Sequence, residues 1–192
     1  MAGFHVTGVG IAQQPRYAGD TFIQADALTF PLEGFNAIHA SPPCQRYSRA
    51  QNAAKNADAH PDLVGPIRER LIVSGVPWVM ENVVGAPMVN PVTICGLSLG
   101  MKVKRHRLFE SSHLFLVPPC PSHNQDYYVI FGHECRRSGS AAGRKNKIAV
   151  GREAMGISWM TRAELSEAIP PAYTEFIGRQ LMAVIQQEAQ CA

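Results

Sequence analysis

Several things are scarce in this chain of 192 residues. No stretch approaches the ~18 unbroken apolar residues of a membrane span, which excludes an integral membrane protein of the helical kind. The first residues, Met1-Ala-Gly-Phe-His5, have neither the basic region nor the apolar run of a signal peptide. The cysteines, Cys44, Cys95, Cys120, Cys135 and Cys191, are odd in number and scattered. They do not form a disulfide framework, so each is weighed as a nucleophile or a metal ligand in a reduced, cytoplasmic setting. Charge is also sparse: only 17% of residues are Asp, Glu, Lys or Arg, against 46% hydrophobic. There is no repeat and no low-complexity tract.

The length fits one domain over residues 1–192, at roughly 150 residues per domain. The net charge of +3 is mild. Its distribution is not, because Lys102 to Arg107 holds four cations and Arg136 to Lys147 holds five with no acid among them. Two such clusters make either a phosphate-binding face or a pair of solvated loops. The stretch 110–150 reads as a basic, irregular insert.

Strands are expected at Phe4–Ile11, Thr21–Gln24, Phe35–His39, Val76–Met80, Arg107–Phe109 and Tyr127–Phe131. Helices are expected at 61–74, 162–168 and 172–188, the first with Leu63, Ile67, Leu71 and Ile72 as its apolar stripe. Strands alternating with helices imply an α/β fold with a mainly parallel sheet and a small irregular C-terminal portion. Ligands of such sheets bind beyond the carboxyl ends of the strands. Two polar clusters fall there. Ala40-Ser-Pro-Pro-Cys-Gln-Arg-Tyr-Ser48 presents Cys44 on a proline-stiffened exit loop, and Val79-Met-Glu-Asn-Val83 places Glu81 and Asn82 at the end of an apolar strand. Taken singly, these could be a turn cysteine and a strand-capping acid.

In this order, Pro43-Cys44-Gln45, Glu81-Asn82-Val83 and Arg105-His106-Arg107 resemble the motifs of the DNA cytosine-5 methyltransferase family. Ala25-Asp26-Ala-Leu28 and Ala168-Ile-Pro-Pro-Ala-Tyr173 resemble two more, and the pieces are collinear over nearly the whole chain. The closest resemblance is to compact phage-encoded members with almost no separate target-recognition region. The resemblance implies a Rossmann-like fold, S-adenosylmethionine as methyl donor, DNA as partner, and the cytoplasm of a bacterium or phage-infected host as location. It assigns Cys44 as the thiolate that adds to carbon 6 of a flipped-out cytosine and Glu81 as the acid at ring nitrogen 3. Asn82 would orient the loop, Arg107 would hold the ring carbonyl and Arg105 would meet phosphate. Gln45, Arg46 and Ser48 would line the opened duplex, with Lys104, Arg136, Arg137, Arg144 and Lys145 on the DNA backbone. Asp26 and Pro42 are what the resemblance offers the donor.

The departures lie at the N-terminus. The family's first strand, its Phe-x-Gly-x-Gly turn and the following helix have no counterpart here, and Gly10 stands where the ribose-binding acid is expected. Weak donor binding is therefore expected, with an exposed sheet edge that a partner chain or a second copy could cover. A rival alignment makes Gly8 and Gly10 the donor loop. Two functions remain open: methyl transfer to cytosine, or a donor-deficient chain that binds DNA or a partner without turnover. Separately, Cys120, His123, His133 and Cys135 form a CxxH…HxC pattern that is either a zinc site or surface residues that never converge.

Overall fold

The computed structural model describes residues 2–48, 57–131, 134–139 and 148–191. The protein is mixed α/β, with three small sheets in place of the single mainly parallel sheet expected. The elements run β1 (Thr7–Gly10), β2 (Thr21–Gln24), β3 (Ile38–Ala40), α1 (Val64–Ser74), β4 (Trp78–Asn82), β5 (Val92–Cys95), β6 (His106–Ser111), β7 (Tyr128–Phe131), β8 (Glu134–Arg137), α2 (Ile148–Met155), α3 (Arg162–Glu167) and α4 (Pro171–Cys191). β1 and β2 pair in parallel. A second sheet has the order β3-β4-β6-β5, and β7 and β8 form a third. Within the second sheet β3–β4 is parallel and β4–β6 antiparallel. Among the described residues, no helix is long and apolar enough to cross a membrane.

Where the sequence suggests one domain with an insert over 110–150, the chain divides into two compact units. The first comprises Met1–Thr93, Arg107–Phe115 and Gly178–Ala192, and the second comprises Ile94–His106 and Leu116–Ile177. The second unit thus recruits chain on both sides of the insert.

The first unit is built on α1 and β4. Val64, Ile67 and Leu71 face Trp78 and Met80, joined by the part-buried Ile38, Ala40 and Tyr47. The helical period is the expected one, with a correction at its edge: Ile72 is 60% exposed, and Val64 completes the buried stripe. α1 ends at Gly75, whose φ of 70° is the left-handed conformation that favours glycine at a helix C-terminus. Every residue of β4 is buried, as expected of a strand flanked on both sides.

The second unit packs Val103, Ile130, Cys135, Ala154, Met155, Ile157 and Leu165 into one apolar cluster. α3 starts on a capping box, with Thr161 and Glu164 satisfying each other's backbone N–H groups. α4 opens on Pro171, where a missing N–H costs nothing. The first turn of α4 buries Tyr173 completely, and its hydroxyl donates to the Arg105 carbonyl.

One buried ion pair braces the first unit. Arg68 on α1 donates from Nε and Nη2 to the two carboxylate oxygens of Glu110 on β6, at 2.6 and 2.8 Å. The Val89 N–H adds a third bond to Glu110 at 2.7 Å. The Glu110 side chain is 6% exposed and that of Arg68 19%. Removing one partner of such a pair strands a desolvated charge, at about 3–5 kcal/mol. Arg68→Ala should therefore lower the unfolding free energy by an amount near the lower end of that range, read from urea denaturation. A loss under about 1 kcal/mol, the size of a surface pair, would show that Glu110 is not truly withdrawn from water.

Candidate active site at the carboxyl ends of β3 and β4

Register brings the two polar clusters together. β3 and β4 run in parallel with Ile38 opposite Trp78 and Ala40 opposite Met80. The chain leaves β3 through Ser41-Pro42-Pro43 to Cys44, while β4 continues through Glu81 and Asn82. The expected nucleophile and the expected acid therefore emerge from the same ends of neighbouring strands.

Asn82 locks this arrangement. It is fully buried, and its Nδ2 donates to the Pro42 carbonyl at 3.0 Å. Its Oδ1 accepts from the Val83 N–H at 2.8 Å. One amide thus ties the loop of Cys44 to the strand of Glu81. Cys44 is half-buried and has no disulfide. It sits at the N-terminal boundary of a short 3₁₀ turn, Gln45–Tyr47, with its carbonyl accepting from Tyr47 N–H at 3.1 Å.

Glu81 is 6% exposed. Arg107 Nε lies 2.8 Å from Glu81 Oε1, and both side chains are largely buried. The pairing follows from register, because antiparallel β6 sets Leu108 and Phe109 opposite Asn82 and Glu81. Arg107 is therefore placed beside Glu81.

Other expected residues are placed differently. Arg105 is not a phosphate contact: it is 6% exposed, and its guanidinium donates to the Ile130 carbonyl at 3.0 Å and the Ser166 carbonyl at 2.6 Å. Arg105 precedes β6, which begins at His106, and its side chain is held by those two carbonyls from later in the chain. Arg46 follows Cys44 but is turned onto the next segment, donating to the His60 carbonyl and the Asp58 carboxylate, both at 3.1 Å. Tyr47 donates to Asp62. Burial, then the Asp62 hydrogen bond and charge, push the phenol up to about 12, so it stays a donor. Ser48 Oγ turns back to the Gln45 carbonyl at 3.3 Å. Gln45 Oε1 is buried with no hydrogen-bond partner among the described residues.

Several cations of the basic clusters have partners within the protein's own chain. Lys104 lies over the Tyr127 ring at 5.5 Å, and Arg137 pairs with Asp126. Arg136 is half-buried. Arg144 and Lys145 lie outside the described residues.

At the donor end, Asp26 is exposed just past β2, and its Oδ1 accepts from the Leu28 N–H at 2.8 Å. Pro42 is buried, with its carbonyl engaged by Asn82. The residues of the alternative donor loop, Gly8 and Gly10, lie in β1. Gly8 is an interior residue of β1, and the Tyr17 ring lies so close that a Cβ there would meet it at 2.5 Å.

The expected zinc grouping is also rearranged. Cys120 and His123 do converge, but with Cys95 and His106. Cys135 is 3% exposed inside the apolar cluster of the second unit, on the inward face of β8. His133 lies outside the described residues. Sequence reading missed Cys95 and His106 because neither has a ligand at a short spacing; only the strand ends bring them to the CxxH pair.

Asn82→Ala should unfold about 1–3 kcal/mol more easily, the usual cost of leaving a buried partner unsatisfied. It should also make Cys44 react faster with iodoacetamide in folded protein, followed by peptide mass spectrometry. An unchanged stability and alkylation rate would mean that the Asn82–Pro42 bond does not hold the loop. Compared with family models and with curated proteins, the chain matches none, so the function of this site is argued from its own geometry and chemistry.

Proposed function

We propose that the chain carries the base-activating site of a DNA cytosine-5 methyltransferase. The observation that carries this reading is the convergence of Cys44, Glu81 and Arg107 at the ends of β3, β4 and β6, with Asn82 bridging the first two strands. Nitrogen 3 and the carbonyl at carbon 2 are neighbours on the cytosine ring. A carboxyl and a guanidinium 2.8 Å apart suit that pair of ring atoms.

The chemistry requires these groups. Carbon 5 of cytosine is a weak nucleophile. When the Cys44 thiolate forms a bond to carbon 6, the electrons of the 5–6 double bond move toward the ring nitrogen, and Glu81 shares a proton with nitrogen 3 to offset that charge. Carbon 5 is then enamine-like and can take an electrophile. Loss of the carbon 5 proton and departure of the thiolate restore the aromatic ring. The base must leave the duplex stack to reach Cys44. Of the residues expected on DNA, Arg46 and Arg137 are paired with acids and Lys104 lies over the Tyr127 ring.

Strand order supports the Rossmann-like half of the reading. A doubly wound sheet runs 3-2-1-4-5-6, so its second and third strands pair, its fourth and fifth pair, and the first lies between. β1 with β2 and β3 with β4 reproduce those two parallel pairs, with no strand between them among the described residues. The family's electrophile is the methyl group of S-adenosylmethionine. Support for that donor is thin among the described residues: Tyr17 packs against Gly8, Asp26 accepts from the nearby Leu28 N–H, and the Pro42 carbonyl is taken by Asn82. This favours a second reading, in which the chain binds DNA or a partner chain without turnover.

Hydrogen exchange at carbon 5 tests the base-activating site without a donor. Addition of Cys44 should let carbon 5 take a solvent proton and lose its own, so DNA tritiated at cytosine carbon 5 should release label to water. Cys44→Ala should abolish the release, and Glu81→Gln should slow it by about 10²–10⁴-fold, the range of general acid effects. Release that survives Cys44→Ala, or that Glu81→Gln leaves intact, would remove these residues from the mechanism.

A further inference from the structure

We propose that Cys95, His106, Cys120 and His123 bind one zinc ion that fastens the irregular segment after β6 to the ends of β5 and β6. All of them belong to the second compact unit. Each offers one ligand atom, and these atoms lie within 4.8 Å of one another. Cys120 Sγ is 3.2 Å from His123 Nε2 and 3.3 Å from His106 Nε2, and Cys95 Sγ is 3.8 Å from His123 Nε2. Zinc bonds of about 2.3 Å to sulfur and about 2.0–2.1 Å to nitrogen at a tetrahedral centre put neighbouring sulfur and nitrogen ligands about 3.5 Å apart. The side chains therefore already stand at the edges of a zinc-sized tetrahedron.

The donor set selects the metal. Two thiolates and two imidazoles in tetrahedral array suit zinc, and carboxylate-preferring ions such as magnesium or calcium have no oxygen ligand here. Four protein ligands close the coordination shell, which marks a structural site and not a catalytic one. A disulfide between Cys95 and Cys120 would leave both histidines, whose rings meet edge to face at 5.2 Å, without a reason to converge on the sulfurs.

The backbone shows what the ion would do. Cys95 ends β5 and is held by the turn that follows, where Ser98 Oγ donates to its carbonyl at 2.7 Å. His106 is the first residue of β6. Cys120 and His123 lie on a stretch without helix or strand, in which Pro118, Pro119 and Pro121 have no N–H to build a ladder. Chain of that kind needs another anchor, and metal coordination provides one whose binding energy is also folding energy.

The test uses the full-length protein, purified under reducing conditions. Plasma mass spectrometry should find one zinc per chain, and cobalt replacing it should show the intense visible bands of a tetrahedral ion together with thiolate-to-cobalt charge transfer. Cys120→Ser and His123→Ala should lose the stoichiometric ion. Cys44→Ser and Cys135→Ala should keep it, the latter because Cys135 sits in the apolar cluster. Should the loss variants fail to fold, His123→Cys decides: it should retain the metal and strengthen the charge-transfer band through an added thiolate. Reduced protein that takes up neither zinc nor tetrahedral cobalt would overturn the proposal. So would metal binding that Cys135→Ala abolishes, or a Cys95–Cys120 disulfide in the metal-free native protein.

Discussion

The candidate active site depends on one parallel strand pair and the amide that closes it. β3 is only three residues long, too short to fix the geometry of a loop beyond it. The bond from Asn82 Nδ2 to the Pro42 carbonyl extends the β3–β4 register past the last ladder bond and so positions the approach to Cys44. Two prolines stiffen that approach further. Asn82 can do this because it is completely buried: without water to compete, the amide has no equivalent partner elsewhere. Arg107 on Glu81 is a consequence of the same sheet, since β6 pairs with the strand that Asn82 ends.

Legibility from sequence followed the range of the interactions. α1 could be read from its apolar period, and β2 was found at its observed limits, because both signals are local. Cys44, Glu81 and Asn82 were legible because polar residues interrupt apolar strands at a sheet's carboxyl edge. The fate of Arg105 was not. Its neighbours in sequence suggest a basic patch, whereas its partners, the carbonyls of Ile130 and Ser166, lie far along the chain. Cys95 and His106 were missed for the same reason. β5 and α2 were also missed: β5 is only four residues long, and α2 follows a basic stretch of sequence and contains a glycine.

The two halves of the proposed reaction stand on different footing within the same fold. At the proposed base-activating end, Glu81 and Asn82 are buried, Arg107 lies 2.8 Å from Glu81, and the half-buried Cys44 follows the loop that Asn82 braces. The donor end offers an exposed Asp26 and a glycine strand covered by Tyr17. On the proposed reading, so few contacts for the electrophile would leave the chain holding cytosine more readily than modifying it.

The central claim is that Cys44 is the residue that bonds to the base. The most direct measurement is covalent trapping with an oligonucleotide that carries 5-azacytosine, whose ring nitrogen at position 5 makes carbon 6 a better electrophile. Proteolysis of the denatured complex and mass spectrometry should locate the nucleoside adduct on the peptide containing Cys44, with none formed by Cys44→Ala. An adduct on Cys95, Cys120, Cys135 or Cys191, or no adduct on folded protein that binds the oligonucleotide, would contradict the account.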